Sequence, residues 1–287
     1  MPPQPDRKPQ DQEIDAYGLT HQGRVRSSNQ DNFLICSLRK QVVVHYSSLP
    51  SAAELATHAD RVAFVAMVAD GTGGEAGGEE ASRQAVEAVT RYVTESMQCY
   101  YQAPVTDEAF HQSLHDAAMR CHSTLLERAD SDRDLRGMAT TLTLWLGIWP
   151  RAYLLQVGDS RAYLLRDGEL TQLSRDQTMA QELVDLGALP RIEAASSRLV
   201  NTLSSSIGGP QTAPTVTRLD QRWGDVGLLC SDGLTRHVPP ERIRERLGAM
   251  RSARQACEDL LQDALDAGGS DNVTVLVGRA VPGAEGA

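Results

Sequence analysis

The sequence predicts an α+β domain in which antiparallel sheets are covered by helices. Two observations carry this: strand-like runs come in consecutive groups joined by short turns, and these groups are interrupted by pairs of long amphipathic helices. A third is the Asp167-Gly168 dipeptide between two β-rich runs, the signature of a two-residue hairpin.

Taken in order, residues 14 to 20, 31 to 36, 41 to 47 and 61 to 69 have strand composition. Residues 79 to 101 carry Ala81, Ala85, Val89 and Val93 at helical spacing, and residues 107 to 128 repeat the pattern with Phe110, Leu114, Ala117, Cys121 and Leu125. Strands are expected again over 139 to 147, 151 to 157, 161 to 166 and 170 to 173. A helix over 176 to 186, a strand over 226 to 231, helices over 240 to 247 and 252 to 266, and a strand over 273 to 279 complete the set. Residues 48 to 60 exceed an ordinary hairpin loop and read as an insertion.

Composition narrows the function. The chain has 287 residues, 41% hydrophobic and 23% charged, which is ordinary for a globular protein. Its longest apolar stretches, 62 to 69 and 142 to 149, are too short to span a bilayer, so no membrane association is expected. A net charge of −10 argues against nonspecific nucleic-acid binding, which needs a basic surface. The proline-rich start has no apolar signal core, and the expected organisation is one domain over 12 to 281 between disordered tails at 1 to 11 and 282 to 287, in a cytoplasmic monomer. Five cysteines without CxxC spacing read as free thiols.

The chemistry lies in the aspartates. Asp-Gly after a strand is ordinarily a turn, and Asp167-Gly168 is followed by another strand as a hairpin requires. Asp70-Gly71 and Asp232-Gly233 are instead followed by a helix, which puts both carboxylates at strand ends. Asp31 opens a strand, Asp159 lies between two strands and Asp271 precedes one. Five carboxylates at element ends form an oxygen donor set suited to Mg²⁺ or Mn²⁺.

Six motifs in order, GRVRSSNQD, VADGTGGEAGG, GMATTLT, VGDSRAYLL, CSDGLT and GGSDNVTVLV, resemble the metal-dependent protein phosphatases of the 2C type in their compact bacterial form. The resemblance covers about residues 12 to 281. It implies a four-layer αββα sandwich and hydrolysis of phosphoserine and phosphothreonine by water activated between two Mn²⁺ or Mg²⁺ ions, with a third, weaker ion. Asp70 is the implied bridging ligand beside the Gly71 carbonyl, and Asp232 and Asp271 are further ligands of the second ion. The resemblance makes Asp31 accessory, gives Asp159 a share of the third ion, and makes Arg26 the phosphate-gripping arginine. Implied partners are phosphorylated proteins, among them a serine/threonine kinase.

Three departures stand out. Gln30 replaces a common Glu. Thr72 stands where eukaryotic relatives have a histidine assigned as general acid, which leaves that role empty. Gln177 replaces a frequent histidine in the flap region, residues 174 to 209.

Rival readings are weaker. GTGGEA at 71 to 76 matches a loose dinucleotide fingerprint, yet the next element reads as one continuous helix. His111, His115 and His122 share a helix face without an acidic or thiol partner, which suits a helix flank better than a zinc site. A regulatory binding module that has lost catalysis conflicts with the intact aspartate set.

Overall fold

The computed structural model describes residues 7–41, 59–100, 106–194 and 197–282. The strands are β1 (Ile14–His21), β2 (Asp31–Gln41), β3 (Ala59–Thr72), β4 (Ala139–Thr140), β5 (Leu142–Ile148), β6 (Arg151–Val157), β7 (Arg161–Arg166), β8 (Glu169–Gln172), β9 (Thr215–Asp220), β10 (Val226–Cys230) and β11 (Val273–Ala280). The helices are α1 (Gly74–Tyr100), α2 (Asp107–Ser131), α3 (Met179–Asp185), α4 (Arg191–Ala194), α5 (Asp232–Thr235), α6 (Pro240–Gly248) and α7 (Ala253–Asp266).

One sheet has the order β1-β11-β10-β7-β8 and the other β2-β3-β5-β6-β9, with β4 paired to β3. Among the described residues every pairing of neighbouring strands is antiparallel. This excludes the dinucleotide-binding reading, which needs parallel strands.

The layers follow from side-chain alternation. On β3, Val65, Met67 and Ala69 pack with Ala81, Ala85 and Val89 of α1 and Leu114 and Cys121 of α2. Val68, between them, points the other way and meets Leu154, Leu229 and Leu276 in the space between the sheets. Both faces of β3 are covered, which is why the run is continuously apolar. On the second sheet Leu228, Val275 and Val277 pack with Ile243, Leu247, Ala256 and Leu260 of α6 and α7. The result is the αββα sandwich. At the end away from the aspartates the inter-sheet layer leaves an apolar cavity of about 130 Å³ beside Phe64, Trp145, Trp149 and Leu276.

Several expectations shift. β2 runs on to Gln41, while residues 42 to 47 of the expected strand and 48 to 58 of the insertion lie outside the described residues; 59 and 60 belong to β3. The expected tails fall partly outside as well, at 1 to 6 and 283 to 287. α1 starts at Gly74 within the glycine-rich stretch. The glycines permit a close approach there: a Cβ on Gly71 would lie 1.9 Å from the Gly78 carbonyl oxygen. The strand expected over 139 to 147 breaks at Thr141. α3 begins only at Met179, because the Thr178 side chain accepts from the Gln181 amide as its N-cap. Strand β9 is absent from the sequence reading; among the described residues it pairs only with β6, at a sheet edge, and it carries four exposed residues of six, too polar to announce itself. Asp167 (φ 52°) and Gly168 (φ 81°) make the expected β7–β8 hairpin, with Arg166 paired to Glu169.

Candidate metal centre

Asp31 and Asp70 stand opposite each other in the β2–β3 register. The break at Thr141 fixes Asp70: its amide donates to Thr141 Oγ1 (3.0 Å), and its carbonyl accepts from the Thr141 amide (2.9 Å) and Thr140 Oγ1 (2.9 Å). Thr141 Oγ1 also shares a 2.7 Å hydrogen bond with Ser160 Oγ, which ties the Asp159 turn to the same threonine. Gly158, at φ 99°, has room for no side chain, since a Cβ would lie 2.6 Å from Thr141 Cγ2. The role of the GMATTLT motif is therefore to position Asp70 and Asp159 through its threonines.

Asp232 opens α5 just after β10, and Asp271 sits just before β11, the antiparallel neighbour of β10. Both thus lie at one end of that sheet. Asn272 joins this end to the other sheet: its Oδ1 accepts from the Gln30 amide (2.9 Å) and its Nδ2 donates to the carbonyls of Gln22 and Ser28 (2.8 Å each). The loop that carries Arg26 and leads into Asp31 is held in this way. Asn272 was not singled out from the sequence, where nothing marks it beyond its place in a motif.

Asp31 is 4% exposed. Its Oδ2 accepts from Ser231 Oγ and Thr274 Oγ1, both at 2.7 Å. Its Oδ1, like Oδ1 of Asp232, is buried with no hydrogen-bond partner among the described residues. Burial, reinforced by Asp232 and Asp271, pushes the Asp31 carboxyl up to about 7 against the two hydroxyl donors. Burial, then Asp232 and Asp176, raises Asp159 to about 8. Burial comes first for Asp70 and Asp232 as well; the charges of Asp31, Asp232, Asp159 and Asp271 add to it at Asp70, while Arg236 opposes it at Asp232. Buried carboxylates that raise one another in this way need positive charge nearby to stay ionised.

Two arginines supply some. Arg26 makes a forked pair with Asp271, Nε to Oδ1 at 2.7 Å and an Nη to Oδ2 at 2.8 Å, with its side chain half exposed. Arg236 bonds both Asp232 Oδ2 and Asp271 Oδ2, the latter at 3.0 Å. Sequence reasoning missed Arg236, although its position four residues after Asp232 at a helix start was a usable signal. Arg161 pairs with Asp176 at 2.6 Å, and its charge also opposes the rise at Asp232.

The donor set fits a hard cation: it is all oxygen, two of its atoms are buried without partners among the described residues, and its carboxylates come from both sheets. Among the described residues no three Asp, Glu, His or Cys side chains close around one ion. An open arrangement suits Mg²⁺-like ions, which keep several waters and take few carboxylates.

The remaining candidates separate cleanly. The Thr72 hydroxyl donates to the Ala139 carbonyl at 3.4 Å and so faces the backbone. Gln177 is a tie: its Oε1 accepts from the Gly158 amide (2.8 Å) and its Nε2 donates to the Ala213 carbonyl (2.9 Å), joining the flap to the Asp159 turn. His122 Nδ1 accepts from the Gly208 amide at 3.0 Å and so anchors the far end of the flap. Asp167 lies in its hairpin, away from the cluster.

Residues 51–269 match the family model described as protein phosphatase 2C. The serine/threonine protein phosphatase PstP of Mycobacterium tuberculosis (strain CDC 1551 / Oshkosh) is 40% identical over 215 residues, 75% of this chain but only 40% of that protein; this chain thus spans less than half the relative's length. The serine/threonine phosphatase stp of Listeria innocua is 30% identical over 261 residues, 90% of this chain and 92% of its own length. A solved structure of the catalytic domain of PstP in complex with two manganese ions is similar at a TM-score of 0.71 and 33% identity, covering 94% of this chain and 99% of that one.

Proposed function

Because this chain belongs to the protein phosphatase 2C family, we propose that it is a serine/threonine protein phosphatase that hydrolyses phosphoserine and phosphothreonine with the help of two Mn²⁺ or Mg²⁺ ions. The observation that carries the reading is the cluster itself: aspartates from distant parts of the sequence gather at one end of the facing sheets, with Asp31 Oδ1 and Asp232 Oδ1 buried and unpartnered among the described residues.

In this reading Asp70 would serve both ions, with the Gly71 carbonyl beside it. Asp232 and Asp271 would help hold the second ion, Asp31 would act behind the first ligands, and Asp159 with Asp232 would serve a third, weaker ion. Bound cations would offset the charge of the phosphoryl group and favour ionisation of the attacking water. Arg26, half exposed at the rim, meets the substrate phosphate with the planar fork that it now gives to Asp271. No side chain has to serve as nucleophile. Cys230, next to Ser231 and Asp232, is unsuited to it because burial pushes its thiol up to about 12. With the Thr72 hydroxyl turned to the backbone, the leaving group takes its proton from water. The substrates are phosphorylated proteins, with a serine/threonine kinase as the natural counterpart.

The test is phosphate release from a phosphothreonine peptide and from p-nitrophenyl phosphate. Turnover is expected with Mn²⁺ or Mg²⁺ and none in EDTA. Absence of turnover with either ion, in protein shown to be folded, overturns the reading.

A further inference from the structure

We propose that Arg236 is a built-in counter-cation of the aspartate cluster, which a divalent ion must displace, and that it thereby sets how much metal the protein requires. The inference rests on the metal-dependent reading above and adds a residue to it.

The geometry begins in the backbone. Asp232 is the first residue of α5, and the Arg236 amide donates to the Asp232 carbonyl at 2.9 Å, one helical turn on. That spacing returns the side chain over the face from which Asp232 projects. One guanidinium nitrogen bonds Asp232 Oδ2, and another bonds Asp271 Oδ2 at 3.0 Å. A single planar cation therefore bridges the carboxylate that follows β10 and the carboxylate that precedes β11. These are the two side chains assigned above to the second ion.

Three further facts separate this contact from an ordinary surface pair. Asp271 does not depend on Arg236, because Arg26 already grips both of its oxygens at 2.7 and 2.8 Å. Asp232 keeps its other oxygen buried and unpartnered among the described residues, so Arg236 neutralises the carboxylate only in part. The Arg236 side chain is 34% exposed, against 14% for both carboxylates, so it is the partner with the freer path outward.

A divalent ion held by Asp232 and Asp271 would find a unit positive charge within hydrogen-bond distance of both. Like charges at that separation repel appreciably even at the effective dielectric of a protein surface. The least costly arrangement is for the guanidinium to swing outward, so each binding event includes the loss of two charge-assisted hydrogen bonds. Removing the positive charge should therefore tighten metal binding while leaving the cation-free cluster less stable. A merely structural ion pair predicts the reverse for metal binding, because losing it would loosen the ligands.

The experiment is calorimetric titration of Mn²⁺ into wild type, Arg236→Gln and Arg236→Lys, with thermal melts of each in EDTA and in saturating Mn²⁺. Arg236→Gln keeps hydrogen-bonding capacity without charge and is expected to bind Mn²⁺ roughly tenfold more tightly, about 1.4 kcal/mol. It should melt below wild type in EDTA and gain more from Mn²⁺. Arg236→Lys keeps the charge and should bind nearly as wild type does. Unchanged or weaker Mn²⁺ binding by Arg236→Gln, with wild type binding normally, overturns this inference and leaves the phosphatase reading standing. Failure of wild type to bind Mn²⁺ overturns both.

Discussion

Ser231 Oγ donates a 2.7 Å hydrogen bond to Asp31 Oδ2, linking the end of β10 in one sheet to the start of β2 in the other. With Thr274 Oγ1 on the same oxygen, it fixes one side of a buried carboxylate and leaves Oδ1 for the cluster. Hydroxyl donors also favour the charged form of a carboxyl that burial pushes up. Ser231→Ala should therefore weaken Mn²⁺ binding by about tenfold, as loss of an outer partner does at metal sites. Titration calorimetry checks this, and wild-type affinity in the variant would remove Ser231 from the site.

Two Asp-Gly pairs that look alike should differ sharply when changed. Asp232→Asn should keep the fold and lose activity by roughly a hundredfold or more, because an amide carries no charge to hold a cation. Asp167→Asn should be nearly neutral: Asp167 sits at φ 52° in a hairpin turn, and Asn-Gly suits that turn equally well. Stability within about 0.5 kcal/mol is expected for this second variant. Initial rates and thermal melts of both proteins decide it; equal losses would collapse the distinction between turn and ligand.

Arg26 is half exposed and reaches the cluster through Asp271. Arg26→Ala should raise KM by about tenfold and lower kcat less, since gripping phosphate acts on the ground state as well as on the transition state. Steady-state kinetics with the phosphothreonine peptide measure the split, and an unchanged KM would reject the role.

The cluster also fixes the direction of a pH effect. Asp31 at about 7 and Asp159 at about 8 lie above the ordinary value of 3.8, chiefly through burial. The folded, cation-free protein thus binds protons more tightly than the unfolded chain, so their contribution to stability is whole below about 3.8 and is lost as pH rises through 7 to 8. In EDTA the melting temperature should fall between pH 6 and 8.5, and the rise caused by Mn²⁺ should grow over the same interval, because the ion takes the place of the proton. Melts with and without Mn²⁺ across that range test it; a flat profile in EDTA would show that the carboxylates are better solvated than their burial indicates.

Much of this was legible in the sequence for a physical reason. Val62 to Ala69 is apolar on both faces because it is covered on both, and a charged residue directly after such a run, Asp70, has to mark its end. The control offered by Asp167 worked because a hairpin must be followed by a strand. What stayed hidden depends on contacts between distant residues. Thr141 gave no sign that it clamps both Asp70 and the Asp159 turn, nor Asn272 that it staples the loop from 22 to 30. Strand β9 went unseen because a polar edge strand needs only one neighbour, and α1 was placed late because the glycines that usually end a helix here let its first turn approach Gly71.

The most direct test of the aspartate cluster is the number of Mn²⁺ ions bound by wild type and by Asp70→Asn, measured by titration calorimetry on folded protein. Wild type should take up two ions, and Asp70→Asn, which loses the carboxylate assigned to both, should bind neither with comparable affinity. Two ions held equally well by the variant would contradict the account.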